Sequence, residues 1–268
     1  MEARRHVRPG VAADASVRRS GQPLLLACDL DGTLLDHEAV PVPGVGEALA
    51  ELIAAGVLLA VITGRPLQSA RRATAALGVE PLIYACYHGA LVVEAGGSLI
   101  RHQPLPPGPA RAVASEVLAQ GVAVTVWDID EPRELEPGQE GGVEPGARVS
   151  RLVLHGDPAV TARLLPLLRA EWSGRLRVES IRPGFLGVFA PEVDKGNALR
   201  LAAERLGVPL DRTVACGDGA ADETLLAAAA VRIAVGGRPH VLGHLPDVVV
   251  TDWARLPETL RARVLPLL

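Results

Sequence analysis

The sequence is poor in aromatic residues: Phe, Trp and Tyr together make up 3% of the 268 residues, although 49% are hydrophobic. Much of the hydrophobic share is alanine, which is typical of alanine-rich helices packed on aliphatic strands. This composition excludes an intrinsically disordered chain. One large domain and a core with an inserted module are both compatible with the length, and we expect the second.

The sequence also lacks a long apolar run and a basic stripe. The longest apolar stretches, such as residues 57–62, have the length of a strand, whereas a membrane helix needs roughly 20 apolar residues. The net charge is -4 and the isoelectric point is near 6.0, which does not favour binding to a phosphate backbone. We therefore expect a cytoplasmic protein that binds neither membranes nor nucleic acid; nothing in the sequence indicates its oligomeric state.

Cysteine is scarce as well, with three residues at Cys28, Cys86 and Cys216. Each ends an apolar run that is typical of a buried strand, and an odd number of widely spaced cysteines does not indicate a disulfide framework. We predict buried, reduced thiols. Metal ligation by the three is the alternative, although no CxxC spacing favours it.

The first 21 residues contain several arginines and few apolar positions. They lack the apolar core of a secretory signal, so residues 1–21 are predicted to form a disordered basic tail. An organelle transit peptide is the alternative, because it is also rich in arginine and poor in acidic residues.

Short aliphatic runs alternate with alanine-rich helical stretches at both ends of the chain, which predicts a parallel sheet covered by helices on both faces. The predicted fold class is therefore α/β, with a doubly wound, Rossmann-like core formed by residues 22–86 and 191–268. Its predicted strands are residues 24–28, 58–62, 82–86, 213–216, 231–235 and 248–251. Its predicted helices are residues 45–55, 195–206 and 220–230, and one that Pro66 begins.

Between these halves, residues 87–190 are predicted to form an inserted α+β cap domain. The pair Gly96-Gly97 indicates a hairpin between two short strands. Further strands are predicted at residues 122–127, 150–155, 175–181 and 185–190, and helices at residues 110–119 and after Asp157. Residues 130–147 are rich in Gly, Pro and Glu, and we expect a mobile, solvated loop there.

Two aspartates, Asp29 and Asp31, follow the first predicted strand, and open α/β sheets bind ligands at the carboxyl ends of their strands. Both side chains project to the same side of an extended segment, so their repulsion requires a cation or a proton. One carboxylate can stay ionised while its neighbour keeps a proton. We expect Asp29 to attack phosphorus and Asp31 to protonate the leaving oxygen and then activate water. A turn rich in Asp explains one of them but not the other polar strand ends.

The second predicted strand ends in Thr63, Gly64 and Arg65, just before the helix that Pro66 begins. A hydroxyl and backbone N–H groups at the start of a helix form a cradle for phosphate. Ordinary helix capping is the alternative for Thr63 and Gly64. Arg65 is either a substrate contact or a surface residue.

A second pair of aspartates, Asp218 and Asp222, follows a late strand. Mg²⁺ prefers oxygen ligands and is usually held by one or two carboxylates together with phosphate and waters. We expect Asp29, Asp218 and the backbone carbonyl of Asp31 to bind Mg²⁺, with Asp222 acting indirectly or through a water. A helix N-cap and an ordinary helix acid are the alternative for this pair.

Lys195 lies at the start of a predicted helix, where its charge opposes the helix dipole. Local stability therefore does not explain it. Neutralising Asp29 and a substrate phosphate would explain it, because phosphoryl transfer depends mainly on positioning and charge compensation.

Four motifs resemble those of the haloacid dehalogenase-like (HAD) phosphatases: Asp29-Leu30-Asp31-Gly32-Thr33-Leu34, Thr63-Gly64-Arg65, Lys195-Gly196, and Gly217-Asp218 followed by Asp222. The insert between the second and third motifs resembles the type-two cap of subclass IIB, whose members include sugar phosphatases, phosphomannomutases and trehalose-phosphate phosphatases. The resemblance implies a Mg²⁺-dependent phosphatase for a small phosphorylated metabolite, with a sugar phosphate as the expected substrate. A phosphotransferase or mutase of the same fold and a weakly active binding or regulatory protein are the alternatives.

One position departs from the family pattern. Ala221 stands where members close to this pattern often have Asn, which motivates the alternative of a weakly active protein. The segment His88-Gly89-Ala90 resembles one found in trehalose-phosphate phosphatases, so His88 is a candidate substrate contact; a hinge glycine beside a surface histidine is the alternative. Further candidate contacts, which no motif supports, are Arg151, Arg182 and Trp127.

Overall fold

The structure is a computed structural model that describes residues 22–129, 132–135, 148–236 and 242–268. These residues form two sheets with separate hydrophobic cores. The predicted tail, residues 1–21, and most of the predicted loop, residues 130–131 and 136–147, lie outside the described residues.

The larger sheet has eight strands in the order β13-β12-β11-β1-β2-β3-β4-β5. The six strands from β13 to β3 are mutually parallel, and β4 and β5 complete the sheet as an antiparallel hairpin. The strands of this core sheet are β1 (Leu25–Cys28), β2 (Leu58–Ile62), β3 (Ile83–Cys86), β4 (Leu91–Glu94), β5 (Leu99–His102), β11 (Thr213–Gly217), β12 (Val231–Val235) and β13 (Val248–Val250).

Helices cover both faces of the core sheet. They are α1 (Val45–Ala54), α2 (Leu67–Ala76), α5 (Lys195–Leu206), α6 (Glu223–Ala228) and α7 (Leu256–Val264). Leu26 and Cys28 face a hydrophobic core shared with α1, α2 and α7, whereas Leu25 and Ala27 face one shared with α5 and α6. Because β1 is buried on both sides, its sequence is a continuous apolar run rather than an alternating one. The predicted doubly wound α/β fold is confirmed.

The second sheet has the order β7-β6-β8-β10-β9 and is antiparallel throughout. Its strands are β6 (Ala123–Trp127), β7 (Pro132–Leu135), β8 (Arg151–His155), β9 (Arg177–Arg182) and β10 (Phe185–Phe189), and its helices are α3 (Pro107–Leu118) and α4 (Pro158–Glu171). Asp157 caps α4 by accepting hydrogen bonds from two backbone N–H groups, as the Asp-Pro pair predicts. We call residues 107–189 the inserted lobe; it has its own hydrophobic core.

The hairpin of β4 and β5 extends the core sheet and is not part of the inserted lobe. The sequence-based boundary at residue 87 assigned it to the insert. In the structure, the turn Tyr87–Gly89 folds the chain back so that β4 pairs with β3, with Tyr84 opposite Val93. The insert therefore leaves the core after β5.

Two local predictions need correction, and one helix was missed. Pro132–Leu135 forms an edge strand where the sequence predicted a loop; a proline at the first position of an edge strand costs no ladder hydrogen bond. The helix predicted from residue 220 begins as the 3-10 turn Ala220–Asp222 before α6 starts. The terminal helix α7 was not predicted. Over the described part of the chain, no helix has the length and hydrophobicity that crossing a membrane requires.

The three cysteines are free and buried, as predicted. Cys28 and Cys216 are register partners on β1 and β11. In the described ranges, the group of three side chains that could hold a metal consists of aspartates, so the alternative of a cysteine metal site is wrong.

Candidate active site

Three polar residues lie at one edge of the core sheet, each directly after a strand. β1 lies between β11 and β2, and its last residue, Cys28, is in register with Cys216 and Val61, each one residue before the end of its strand. Asp29 and Thr63 directly follow β1 and β2, and Asp218 directly follows β11. The chain order of the parallel strands reverses between β1 and β11, and open α/β sheets bind ligands in the crevice at such a point.

Asp29, Asp218 and Asp222 form a compact acidic cluster. One carboxylate oxygen from each lies within 4.8 Å of the others. Gly32 makes this approach feasible: it has a φ of +75°, and a Cβ there would lie 2.3 Å from Oδ2 of Asp218. Trp253 holds the same turn through a 3.1 Å hydrogen bond from its indole N–H to the Gly32 carbonyl.

Lys195 bridges two members of this cluster. Its Nζ lies 2.9 Å from Oδ2 of Asp29 and 2.7 Å from Oδ1 of Asp222, and its side chain is 2% exposed. Burial alone would lower the pKa of Lys195, but the two carboxylates outweigh burial and raise it. The ammonium group is therefore charged, and it is the only lysine in the sequence.

Asp222 has partners for both of its oxygens. While Oδ1 accepts from Lys195, Oδ2 accepts from the backbone N–H groups of Asp218 and Gly219, each at 3.1 Å. These bonds fix the loop after β11 and orient the ammonium group. Both oxygens of the Asp222 carboxylate are thus engaged by neighbouring groups of the protein.

Asp29 differs because one of its oxygens has no partner. Oδ1 is shielded from solvent and makes no hydrogen bond to the described residues. Burial raises the pKa of Asp29 to about 7; Lys195 opposes this shift, while Asp222 and Asp218 add to it. Burial and Asp222 likewise raise the pKa of Asp218 to about 6.

This donor set fits a divalent cation. The cluster contains three carboxylates against one ammonium group, and its raised pKa values express that excess of negative charge. Oxygen ligands and crowded carboxylates are what a hard divalent cation requires. The buried oxygen of Asp29 that lacks a partner would gain one from such an ion.

Asp31 lies apart from the acidic cluster. Its carboxylate accepts hydrogen bonds from Nε of Arg65 at 2.8 Å and from Nη2 at 2.5 Å. The Asp31 side chain is 53% exposed, so it lies at the mouth of the site. Arg65, a candidate substrate contact in the sequence, is engaged with this aspartate.

Thr63 and Gly64 form a tightly packed backbone segment beside the cluster. Thr63 is fully buried, and its Oγ1 accepts from the backbone N–H of Arg65 at 3.2 Å. Gly64 lies against His88, whose Nε2 would be 2.7 Å from a Cβ at position 64. Only glycine leaves room for the ring here.

His88 is buried between the core and the inserted lobe, which contradicts the alternative of a surface histidine. Its ring stacks on Phe189 with centroids 4.9 Å apart, and its Nδ1 forms a short contact with Oε1 of Glu179. Tyr87 and His88 have φ values of 50° and 59°. Two non-glycine residues in the left-handed region store strain, which is common at functional sites.

The inserted lobe reaches Gly64 and His88 of the core through β8 and β9. Arg151 donates from Nη1 to the Gly64 carbonyl at 3.0 Å, and its guanidinium lies over the rings of Tyr87 and Trp127. The candidate Arg182 instead packs 3.9 Å over the ring of Phe185. Its described contacts do not link it to the acidic cluster.

Sequence reasoning missed Glu179 and its partner Arg177. Glu179 is 7% exposed and forms an ion pair with Arg177, with 2.9 Å between Oε2 and Nη2. The alternation of charged and apolar residues along β9 places both on one face of the strand. That face meets the core in the folded protein, which the sequence alone did not show.

Comparison with known proteins identifies the family. The family model for haloacid dehalogenase-like hydrolases matches residues 26–131 and 140–252. The chain belongs to this family. It is 30% identical over 231 residues to a phosphoglycolate phosphatase of Methanopyrus kandleri, covering 84% of this chain and 90% of that protein. It is 26% identical over 247 residues to an HMP-PP phosphatase of Cronobacter sakazakii, covering 84% and 88%.

Solved structures agree in fold. The sugar phosphatase BT4131, described as a member of HAD subclass IIB, aligns with a TM-score of 0.74 at 18% identity, over 91% of this chain and 100% of that protein. The chain is a HAD-type phosphatase with the architecture of subclass IIB, and it acts on phosphate monoesters. The family uses a divalent metal, which the aspartate cluster could hold.

Proposed function

We propose that the protein hydrolyses a small phosphorylated metabolite in a Mg²⁺-dependent reaction, with Asp29 as the nucleophile. The observation that carries this proposal is the state of the Asp29 carboxylate. It is buried at the end of the central strand, one oxygen is held by Lys195, and the other has no partner. A fixed, desolvated carboxylate beside a compensating cation is suited to attack phosphorus.

In the proposed first step, a carboxylate oxygen of Asp29 bonds to phosphorus while the bond from phosphorus to the leaving oxygen breaks. Asp31, which must first exchange its ion pair with Arg65 for a proton, gives that proton to the oxygen, so the product leaves as an alcohol. A water molecule then attacks the aspartyl-phosphate, and Asp31 takes the water's proton. Inorganic phosphate leaves and Asp29 is regenerated.

Thr63 and Gly64 hold the phosphoryl group in this proposal, and Lys195 compensates its charge. The Thr63 hydroxyl and the backbone N–H groups at the start of α2 are the donors. Asp29, Asp218 and the backbone carbonyl of Asp31 would bind Mg²⁺, with Asp222 positioning Lys195. When bound, the ion neutralises the crowded carboxylates and polarises a phosphate oxygen.

The inserted lobe serves as a cap over this site in the proposal, while residues 22–86 and 191–268 with the β4–β5 hairpin form the catalytic core. The contact between Arg151 and the Gly64 carbonyl and the pair of Glu179 with His88 support this arrangement. A closed cap excludes bulk water and contacts the leaving group.

The sequence-based expectation of a sugar phosphate stays a prediction. The names of the sequence relatives, phosphoglycolate phosphatase and HMP-PP phosphatase, favour small charged metabolites at least as strongly.

The test is phosphate release from a panel of monoesters with and without Mg²⁺. We expect Mg²⁺-dependent release by the wild type and none by Asp29→Asn, with a normal thermal unfolding curve. Asp211→Asn, which changes an exposed aspartate, is the matched control and should retain activity. Full activity of Asp29→Asn would contradict the mechanism.

The same assay separates the alternatives. Conversion of one sugar phosphate isomer into another without steady release of phosphate would indicate a mutase. A failure to hydrolyse any monoester, including an activated aryl phosphate, would indicate the weakly active binding or regulatory protein.

A further inference from the structure

Arg151 is a cation of the inserted lobe that contacts the proposed phosphate cradle. It is the first residue of β8, and its Nη1 lies 3.0 Å from the Gly64 carbonyl oxygen. The guanidinium therefore lies at the boundary of the two lobes, beside the segment that is proposed to hold the phosphoryl group. A leaving group attached to that phosphoryl group would pass next to it.

No carboxylate of the described chain pairs with Arg151. Its Nε is shielded from solvent and lacks a hydrogen-bond partner, and burial lowers its pKa to about 10. The charge of Glu179 acts on Arg151 by raising its pKa, but the carboxylate oxygens of Glu179 contact His88 and Arg177. A partly buried cation whose Nε is shielded from solvent and has no paired anion is costly, so binding an anion there is favourable.

The edge of the Arg151 guanidinium that carries Nε and Nη2 is the edge with which other arginines of this chain bind carboxylates. Arg65, Arg232 and Arg261 each donate from Nε and Nη2 to the two oxygens of one carboxylate. Arg151 uses only Nη1 in a described hydrogen bond. Its Nε and Nη2 thus form a fork with the geometry of a carboxylate.

Two aromatic rings hold this fork in place. The guanidinium carbon of Arg151 is 5.0 Å from the ring centroid of Tyr87 and 4.9 Å from that of Trp127. Contacts to both rings restrict the side chain before any ligand binds. Such preorganisation reduces the entropy that binding costs.

We infer that Arg151 is a specificity-determining residue that binds a carboxylate on the leaving group of the substrate. This inference rests on the proposed function and adds a substrate class to it: small phosphate monoesters of hydroxy acids. The phosphoryl group has its own donors in the core, so the fork supplied by the inserted lobe is available to the other end of the substrate.

The experiment compares two esters that differ in this group: phosphoglycolate and ethyl phosphate. The wild type should have the higher kcat/KM for phosphoglycolate. Arg151→Gln should lower that value about 10- to 100-fold, the range for a charged hydrogen bond, mainly through KM. Its kcat/KM for ethyl phosphate should fall less than about threefold, because a neutral leaving group gains little from the fork. Arg151→Lys, which keeps the charge without the fork, should recover part of the preference.

Arg163→Gln is the matched control, because it removes an exposed arginine of the same lobe; it should change neither value. Thermal unfolding of each variant reports whether the fold is kept. Calorimetry supplies a readout without turnover: in an Asp29→Asn background, Arg151→Gln should weaken phosphoglycolate binding and leave binding of inorganic phosphate unchanged.

Equal losses for both esters would overturn the inference, because Arg151 would then act on the phosphoryl group or on lobe contacts alone. A wild type that hydrolyses ethyl phosphate but shows no preference for phosphoglycolate would also overturn it, while the proposed function stands. If the wild type releases phosphate from neither ester nor from the wider panel, the proposed function fails and the inference fails with it.

Discussion

Replacing Lys195 by methionine should destabilise the protein strongly when no metal is present. Lys195 lies between the carboxylates of Asp29 and Asp222, whose side chains are 8% and 1% exposed. Removing one partner of a buried ion pair costs about 3–5 kcal/mol, because the remaining charge stays buried without compensation. Methionine keeps most of the aliphatic stem, so the loss reports the charge rather than a cavity. Such a loss is a large part of the roughly 5–15 kcal/mol that stabilises a typical protein.

The loss should also depend on pH. The pKa of Asp29 is raised to about 7 even with Lys195 in place, and it should rise further without the ammonium group. A protonated Asp29 needs no counter-charge. Lys195→Met should therefore be more destabilising at pH 8 than at pH 6, and added Mg²⁺ should restore part of the stability at pH 8.

Urea unfolding in EDTA, followed by tryptophan fluorescence, measures both effects. Arg232→Met is the matched control, because it removes a cation from a partly exposed pair with Asp247, and exposed pairs contribute little. The reasoning is refuted if Lys195→Met loses no more stability than Arg232→Met, or if its loss is the same at both pH values.

Three further predictions concern the surroundings of the cluster. The pKa values of Asp29 and Asp218 are about 7 and 6 in the folded protein, against 3.8 in the unfolded chain, so the folded state binds more protons between these values. The free energy of unfolding without metal should therefore fall as pH rises from about 4 to 7. Thermal scans with and without Mg²⁺ check this, and a flat pH profile contradicts it. Gly32→Ala should lower kcat/KM at least about tenfold by displacing the Asp218 carboxylate. Gly56 also has a positive φ, but a Cβ there would meet no atom within 4 Å, so Gly56→Ala should leave activity intact. Burial alone would raise the pKa of Glu179, but the neighbouring His88 and Arg177 lower it to about 2. The ionised carboxylate therefore stabilises the fold above pH 4.5, the ordinary pKa of Glu, and this stabilisation is lost as pH falls toward 2. Acid unfolding should be less steep for Glu179→Gln.

Ala221 does not disturb the bonds that fix the acidic cluster. The Asp222 carboxylate takes its hydrogen bonds from Lys195 and from backbone N–H groups at positions 218 and 219. The side chain at position 221 supplies none of them. The departure from the family pattern is therefore a weak argument for an inactive protein.

Strand ends explain why much of the core could be predicted from the sequence. Asp29, Thr63 and Asp218 each follow a continuous apolar run, and parallel strands place their carboxyl ends at one edge. Lys195 was recognisable because its charge opposes the dipole of its own helix. These signals are local, so no knowledge of the remaining fold was needed.

Contacts between distant segments were not predictable in the same way. Glu179 meets His88 across 91 positions of sequence separation, and Arg151 meets Gly64 across 87. Both depend on how the inserted lobe lies on the core, which alternation along one strand does not specify. The β4–β5 hairpin was misassigned for the same reason: its pattern indicates a hairpin but not the sheet that it joins.

The central claim is that Asp29 carries the phosphoryl group, and its most direct test is chemical trapping. The wild type is mixed with a phosphate monoester and Mg²⁺, quenched in acid within the first turnover and analysed by peptide mass spectrometry. The mechanism predicts phosphate on Asp29 in the wild type and none in Asp29→Asn. Phosphate found on another residue, or turnover by Asp29→Asn at the wild-type rate, would contradict it.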